Sequence, residues 1–204
     1  MSAKNRTRQE KLEAYRREQD KRKRSSRIWI WTLSALAVLA IGAIVAVTVI
    51  GNQRIVEARQ IDGLQTFDND ATHVEGVVDY EQTPPASGPH NAVWMNCGVY
   101  DQPVPNENAV HDLEHGAVWA TYDPSLPQDE VDALVAALPE TYSVVSPYEG
   151  LDSPIVLSAW NNQVAIDSPD DPRIDAFVER FWQSSSAPEP GAPCTGGIDA
   201  PGKQ

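Results

Sequence analysis

The longest apolar stretch of this chain runs from Ile28 to Ile50, 23 residues without a charged side chain. At about 1.5 Å per residue, a helix of that length spans roughly 34 Å, enough to cross a hydrocarbon core about 30 Å thick. Trp29 and Trp31 stand at one end, where indoles favour the headgroup region. A cleaved signal peptide would carry an apolar core of only about 7 to 15 residues. No small-x-small cleavage pattern follows Ile50, so the pattern predicts an uncleaved transmembrane helix over 28–50.

Beyond it the periods shorten. A Val-rich run from His73 to Tyr80 reads as a strand, and Thr83-Pro84-Pro85-Ala86-Ser87-Gly88-Pro89-His90 as a shaped loop, too rich in Pro and Gly for helix or central strand. Ala117–Tyr122, Tyr142–Val145, Ile155–Trp160 and Val164–Ile166 are strand-like, with Asn161-Asn162 offering a two-residue turn between the last two. Val131, Leu134, Val135 and Leu138 fall at helical spacing after Ser125 and Gln128, which have capping-box spacing. Ile174, Phe177, Val178 and Phe181 repeat that stripe after Asp171 and Pro172, an N-cap and a first-turn proline. The order strand, helix, strand, strand, helix predicts a two-layer α+β domain, an antiparallel sheet with helices on one face. The chain then divides into an arm (1–27), the membrane helix (28–50), a connector (51–70), the α+β domain (71–183) and a Pro/Gly/Ser-rich tail (184–204).

Charge sharpens this division. Of 16 Lys and Arg residues, 11 precede Ile28, whereas 25 of the 29 Asp and Glu residues follow it. The basic cluster Lys21-Arg22-Lys23-Arg24 abuts the apolar segment, so the positive-inside rule keeps the N-terminus cytoplasmic and the acidic domain extracytoplasmic. The expected partners are the lipid bilayer and a membrane protein complex. The exported surface is too acidic for nucleic acid. Cys97 and Cys194, the only cysteines, both lie on the exported side, where a disulfide is permitted. Such a bond fastens the tail; the alternative makes Cys97 a thiolate ligand beside Met95.

Candidate chemistry concentrates in the four histidines, His73, His90, His111 and His115. In His111-Asp112-Leu113-Glu114-His115 the two imidazoles are four apart and share a helical face, with Glu114 beside them. Any helix here is short and ends on the glycine cap of Gly116. Histidine is the commonest metal ligand, and the candidate set is His90, His111 and His115, extended by His73, Glu114 and Met95. Imidazoles with an open position suit zinc, whereas a set including Met95 favours copper. The string also fits His-x-x-Glu-His, in which Glu114 would be the general base of a metal-dependent hydrolase. Trp94, Trp119, Trp160 and Trp182 read as core, and the acidic run Asp167, Asp170, Asp171, Asp175 as helix capping.

Three segments together resemble a bacterial family known as a domain of unknown function. They are Pro84-Pro85-Ala86-Ser87-Gly88-Pro89-His90, Cys97-Gly98-Val99-Tyr100 and Val110-His111-Asp112-Leu113-Glu114-His115-Gly116. The resemblance covers roughly residues 60 to 200 and carries PPxSGPH and VHxLEHG signatures, with Ala86 where many relatives place Thr. It implies a basic N-terminus, one membrane helix and an exported domain, and no established activity. The leading expectation is a histidine-based metal-binding or accessory module. The alternatives are a small hydrolase and a structural envelope protein whose histidines brace a loop.

Overall fold

Val118, Ala120 and Tyr122 turn to one side of a strand and Trp119 to the other, and this alternation organises the domain around two apolar clusters. The computed structural model describes residues 41–42 and 60–204. Ile61–Gln204 make up one unit. Among the described residues no helix is long and apolar enough to cross a membrane. The expected span 28–50 lies, apart from Ile41 and Gly42, outside those residues, as do the arm 1–27 and residues 51–59 of the connector.

Six strands form one mixed sheet: β1 (Gln65–Thr66), β2 (Gly98–Val99), β3 (Val118–Tyr122), β4 (Ser143–Pro147), β5 (Ile155–Ala159) and β6 (Asn162–Ile166), in the order β1-β6-β5-β3-β4-β2. Within the unit Ile61–Gln204 three helices accompany them: α1 (Asn106–Glu114), α2 (Gln128–Ala136) and α3 (Arg173–Phe181). The antiparallel expectation holds for β1–β6, β5–β6 and β3–β5 but not for β4, which runs parallel to both β3 and β2. The cause is connectivity. α2 carries the chain back over the sheet between β3 and β4, and a helical crossover returns the next strand parallel.

Helices also occupy both faces rather than one. Val131 and Leu134 of α2 and Ile174, Phe177 and Phe181 of α3 pack with Val118, Val145, Leu157 and Ile166. On the opposite face, Ala109, Val110 and Leu113 of α1 join Trp119, Val144, Met95, Tyr100 and Trp160. Burying an apolar side chain of this size contributes about 1.5–3 kcal/mol, so both faces contribute to stability.

The local forecasts fare unevenly. Both apolar stripes become helices, and Asp171 caps α3 by accepting the Arg173 amide at 2.8 Å. The capping box before α2 does not form. Pro127 occupies the cap position, and Ser125 bonds to Asp123 instead. The β5–β6 hairpin turns at Trp160-Asn161, one residue earlier than expected, with Asn161 at φ 59°. His73–Tyr80 is no strand; only His73 pairs, through an isolated parallel bridge to His90. Ile61 is core and Gln65–Thr66 an edge strand, so these residues of the expected connector 51–70 belong to the folded unit. The Cys97–Cys194 disulfide forms and closes a separation of 97 residues.

Candidate metal centre

Helix α1 supplies most of the site. It begins after Pro105 and ends where Gly116, at φ 93°, donates its amide to the Leu113 carbonyl. A side chain at position 116 is also obstructed, since its Cβ would sit 3.1 Å from the Gln183 Cα. The last carbonyls of a helix need outside donors, and the tail provides them. Glu189 N donates to Glu114 O at 3.0 Å, Gly191 N to His115 O at 3.0 Å and Gln183 N to Gly116 O at 2.8 Å.

The Pro-rich loop brings the second element. Ser87 donates to Asn161 Oδ1, Asn69 Nδ2 donates to Ser87 Oγ at 2.9 Å, and Gln163 Nε2 donates to the Pro84 carbonyl at 2.8 Å. These bonds pin the loop to the β5–β6 turn, so His90 enters the interior fully buried. His73 comes alongside through two backbone bonds, Val74 N to His90 O at 2.8 Å and His90 N to Thr72 O at 2.9 Å.

One ligand atom from each of His73, His90, His111 and Glu114 then lies within 4.8 Å of the others. The His73 and His111 rings stack at 5.0 Å, and His90 stands edge-on to both. Glu114 Oε2 is 2.9 Å from His90 Nε2 and 3.4 Å from His73 Nε2. Only the His73 side chain, 46% exposed, opens to solvent; Glu114 is buried. This carboxylate sits at the C-terminal, partially negative end of α1, where the helix dipole disfavours an anion and a cation is the natural complement.

The outward-facing nitrogens decide what the rings can do. His90 Nδ1 donates to Gly88 O at 2.8 Å, His111 Nδ1 to Asn91 O at 2.7 Å and His115 Nδ1 to Pro193 O at 2.7 Å. A carbonyl oxygen only accepts, so each Nδ1 carries its proton and Nε2 remains to face inward. Metal-bound histidines commonly have this outer bond, which fixes tautomer and ring orientation. His111 Nε2 and His115 Nε2 lie 2.9 Å apart. With both rings neutral their lone pairs oppose each other, so His115 adds an electron-rich nitrogen beside the group. Burial holds the His111 imidazole down to about 4, partly opposed by its bond to Asn91, with His115 and His90 pushing further down. It is therefore neutral, as a ligand must be.

The expected ligands separate accordingly. His90, His111, Glu114 and His73 converge; His115 touches His111 beside that group. Met95 is buried in the apolar cluster with Tyr100, Leu113 and Trp119. Trp119 and Trp160 are buried, as expected of core, while the partly exposed Trp94 lies 5.9 Å from the His111 ring and 5.5 Å from that of His115. Bonds from the rings to backbone carbonyls are what the loop-bracing alternative expects; which carbonyls accept them carries no side-chain signature.

Sequence reasoning missed Asp112. That residue is fully buried, and among the described residues neither carboxylate oxygen meets a donor in good hydrogen-bond geometry, the Met95 amide standing at the margin. Burial raises its pKa well above 3.8, and the Met95 amide only partly opposes this. One of its oxygens lies within 4.8 Å of both cysteine sulfurs.

Residues 73–196 match the family model described as "Protein of unknown function (DUF3105)". The chain belongs to this family. The match takes in His73, His90, the whole of α1 and Cys194, so every side chain of the converging group lies within the family domain. No curated protein and no solved structure matches the chain.

Proposed function

We propose that this protein is a membrane-anchored, extracytoplasmic module that binds one transition-metal ion through His73, His90, His111 and Glu114. The observation that carries the reading is the convergence of one ligand atom from each of these four residues, with the Nδ1–H groups of His90 and His111 engaged by backbone carbonyls. A structural histidine needs one such bond. Two rings so held, with a third beside the same buried carboxylate, form a ligand set.

The donors are three nitrogens and one oxygen, which suit zinc or copper(II). The soft alternative loses its support because Met95 is core. Access runs past His73, the exposed member of the group. Anchoring rests on the apolar segment 28–50 and on the charge asymmetry about it. Glu114 Oε2 lies 2.9 Å from His90 Nε2 and 3.4 Å from His73 Nε2, and a carboxylate set against imidazole lone pairs favours a ligand role around a shared cation over that of a free general base.

The test is elemental analysis of the untagged full-length chain purified in detergent, followed by titration with zinc, copper(II) and copper(I). The expected result is about one tightly held ion per chain, with shifts of the histidine ring resonances on loading. A protein that arrives without metal and shows no ring perturbation at stoichiometric amounts of all three ions would refute the proposal.

A further inference from the structure

The orphaned carboxylate of Asp112 faces a chemistry that the histidine group does not use. A carboxyl group buried without well-aligned donors is destabilising, and here, beside the marginal Met95 amide, one of its oxygens lies within 4.8 Å of both sulfurs of the Cys97–Cys194 disulfide. A disulfide is no donor and a poor acceptor, so it compensates the carboxyl group hardly at all. Two thiols would change this, because each can donate a hydrogen bond, or bind a cation together with the carboxylate as thiolates.

The two cysteines stay neighbours without their covalent bond. Cys97 N donates to Cys194 O at 2.8 Å, Asn96 N to Ile198 O at 2.7 Å and Ile198 N to Trp94 O at 3.1 Å. These backbone bonds hold the two segments together beside the sulfur pair. Cys97 is partly exposed, whereas Cys194 and Asp112 are buried, so a reductant has one sulfur to attack.

We propose that, in the dithiol form, Cys97, Cys194 and Asp112 hold a thiophilic divalent cation such as zinc, at a site separate from the histidine centre. A dithiol reductant attacks the Cys97 sulfur, breaks the S–S bond and leaves as its own disulfide; two electrons and two protons pass to the protein. The cation then displaces both thiol protons to solvent, and any proton on Asp112, forming two metal–sulfur bonds and one metal–oxygen bond. Two thiolates and one carboxylate leave a fourth tetrahedral position to water. The bound ion links the tail to the domain as the disulfide does.

Cobalt(II) is the probe, added anaerobically to the full-length chain in detergent after reduction with a phosphine. A sulfur-to-cobalt charge-transfer band should grow to one equivalent in the reduced protein and be missing from the oxidised one. Asp112→Asn, which keeps the shape of the side chain, should weaken cobalt binding at least about ten-fold. The band should persist in a His90→Ala/His111→Ala variant, so this site stands or falls independently of the histidine centre. No sulfur band in the reduced protein, or an Asp112→Asn titration that superimposes on wild type, overturns the proposal.

Discussion

Replacing Asp112 by Asn in the oxidised, metal-free protein should stabilise it, and increasingly so as pH rises. The unfolded chain releases this proton near 3.8, whereas burial keeps the folded state protonated to a well higher pH. Above 3.8 folding therefore takes up a proton, and wild-type stability falls with pH until the folded-state value is passed. One proton corresponds to about 1.4 kcal/mol per pH unit. Asparagine fills the same space and does not titrate, so the variant lacks this slope. For the unit Ile61–Gln204, the usual unfolding entropy is about 0.3 kcal/mol per kelvin. The melting temperatures of variant and wild type should therefore diverge by about 4–5 °C per pH unit, beginning just above pH 3.8. Calorimetric melts in chelator at about pH 5 and pH 6 measure the divergence, and other titrations cancel between the two proteins. A constant difference across that interval, or a wild type that gains on the variant with rising pH, refutes the assignment of Asp112 as a buried, unpartnered acid.

Glu114→Gln and His90→Ala should each lower zinc affinity by at least about 10- to 100-fold, read by calorimetric titration; unchanged affinity in both would dissolve the ligand set. In the metal-free protein the His111 ring should titrate with a midpoint near 4, followed by its NMR shifts. Because that value lies below the unfolded 6.5, its contribution to stability is present above about 6.5 and is lost as pH falls toward 4; a midpoint near 6.5 contradicts its burial. Gly116→Ala forces a side chain to φ 93° and against the Gln183 backbone, and should cost about 1–3 kcal/mol in urea melts. A neutral result there means that the end of α1 relaxes freely.

Much of this site is legible in residue spacing, because helical period alone puts His111 and His115 on one flank with Glu114 beside them. Spacing does not tell a ring that joins the centre from one that stands next to it. His115 meets His111, while His73 enters through a backbone bridge across the Pro-rich loop, a long-range pairing that no local pattern encodes. The same limit explains the sheet. Apolar alternation locates β3, β5 and β6, but whether β4 pairs parallel depends on the path of α2 rather than on the side chains of β4. Placing all helices on one face failed because α1 is short, and its apolar residues Ala109, Val110 and Leu113 were overshadowed by the polar motif they carry. Asp112 shows the converse. Within His-Asp-Leu-Glu-His it looks like one more surface acid, and only the tertiary packing of α1 against the disulfide segment buries it.

X-ray absorption at the zinc edge of the loaded, oxidised protein bears most directly on the histidine centre. The account predicts a shell of nitrogen and oxygen only, at about 2.0–2.1 Å, with the outer-shell scattering of several imidazoles. A sulfur shell, scattering from a single imidazole, or zinc that washes away on dialysis would contradict it.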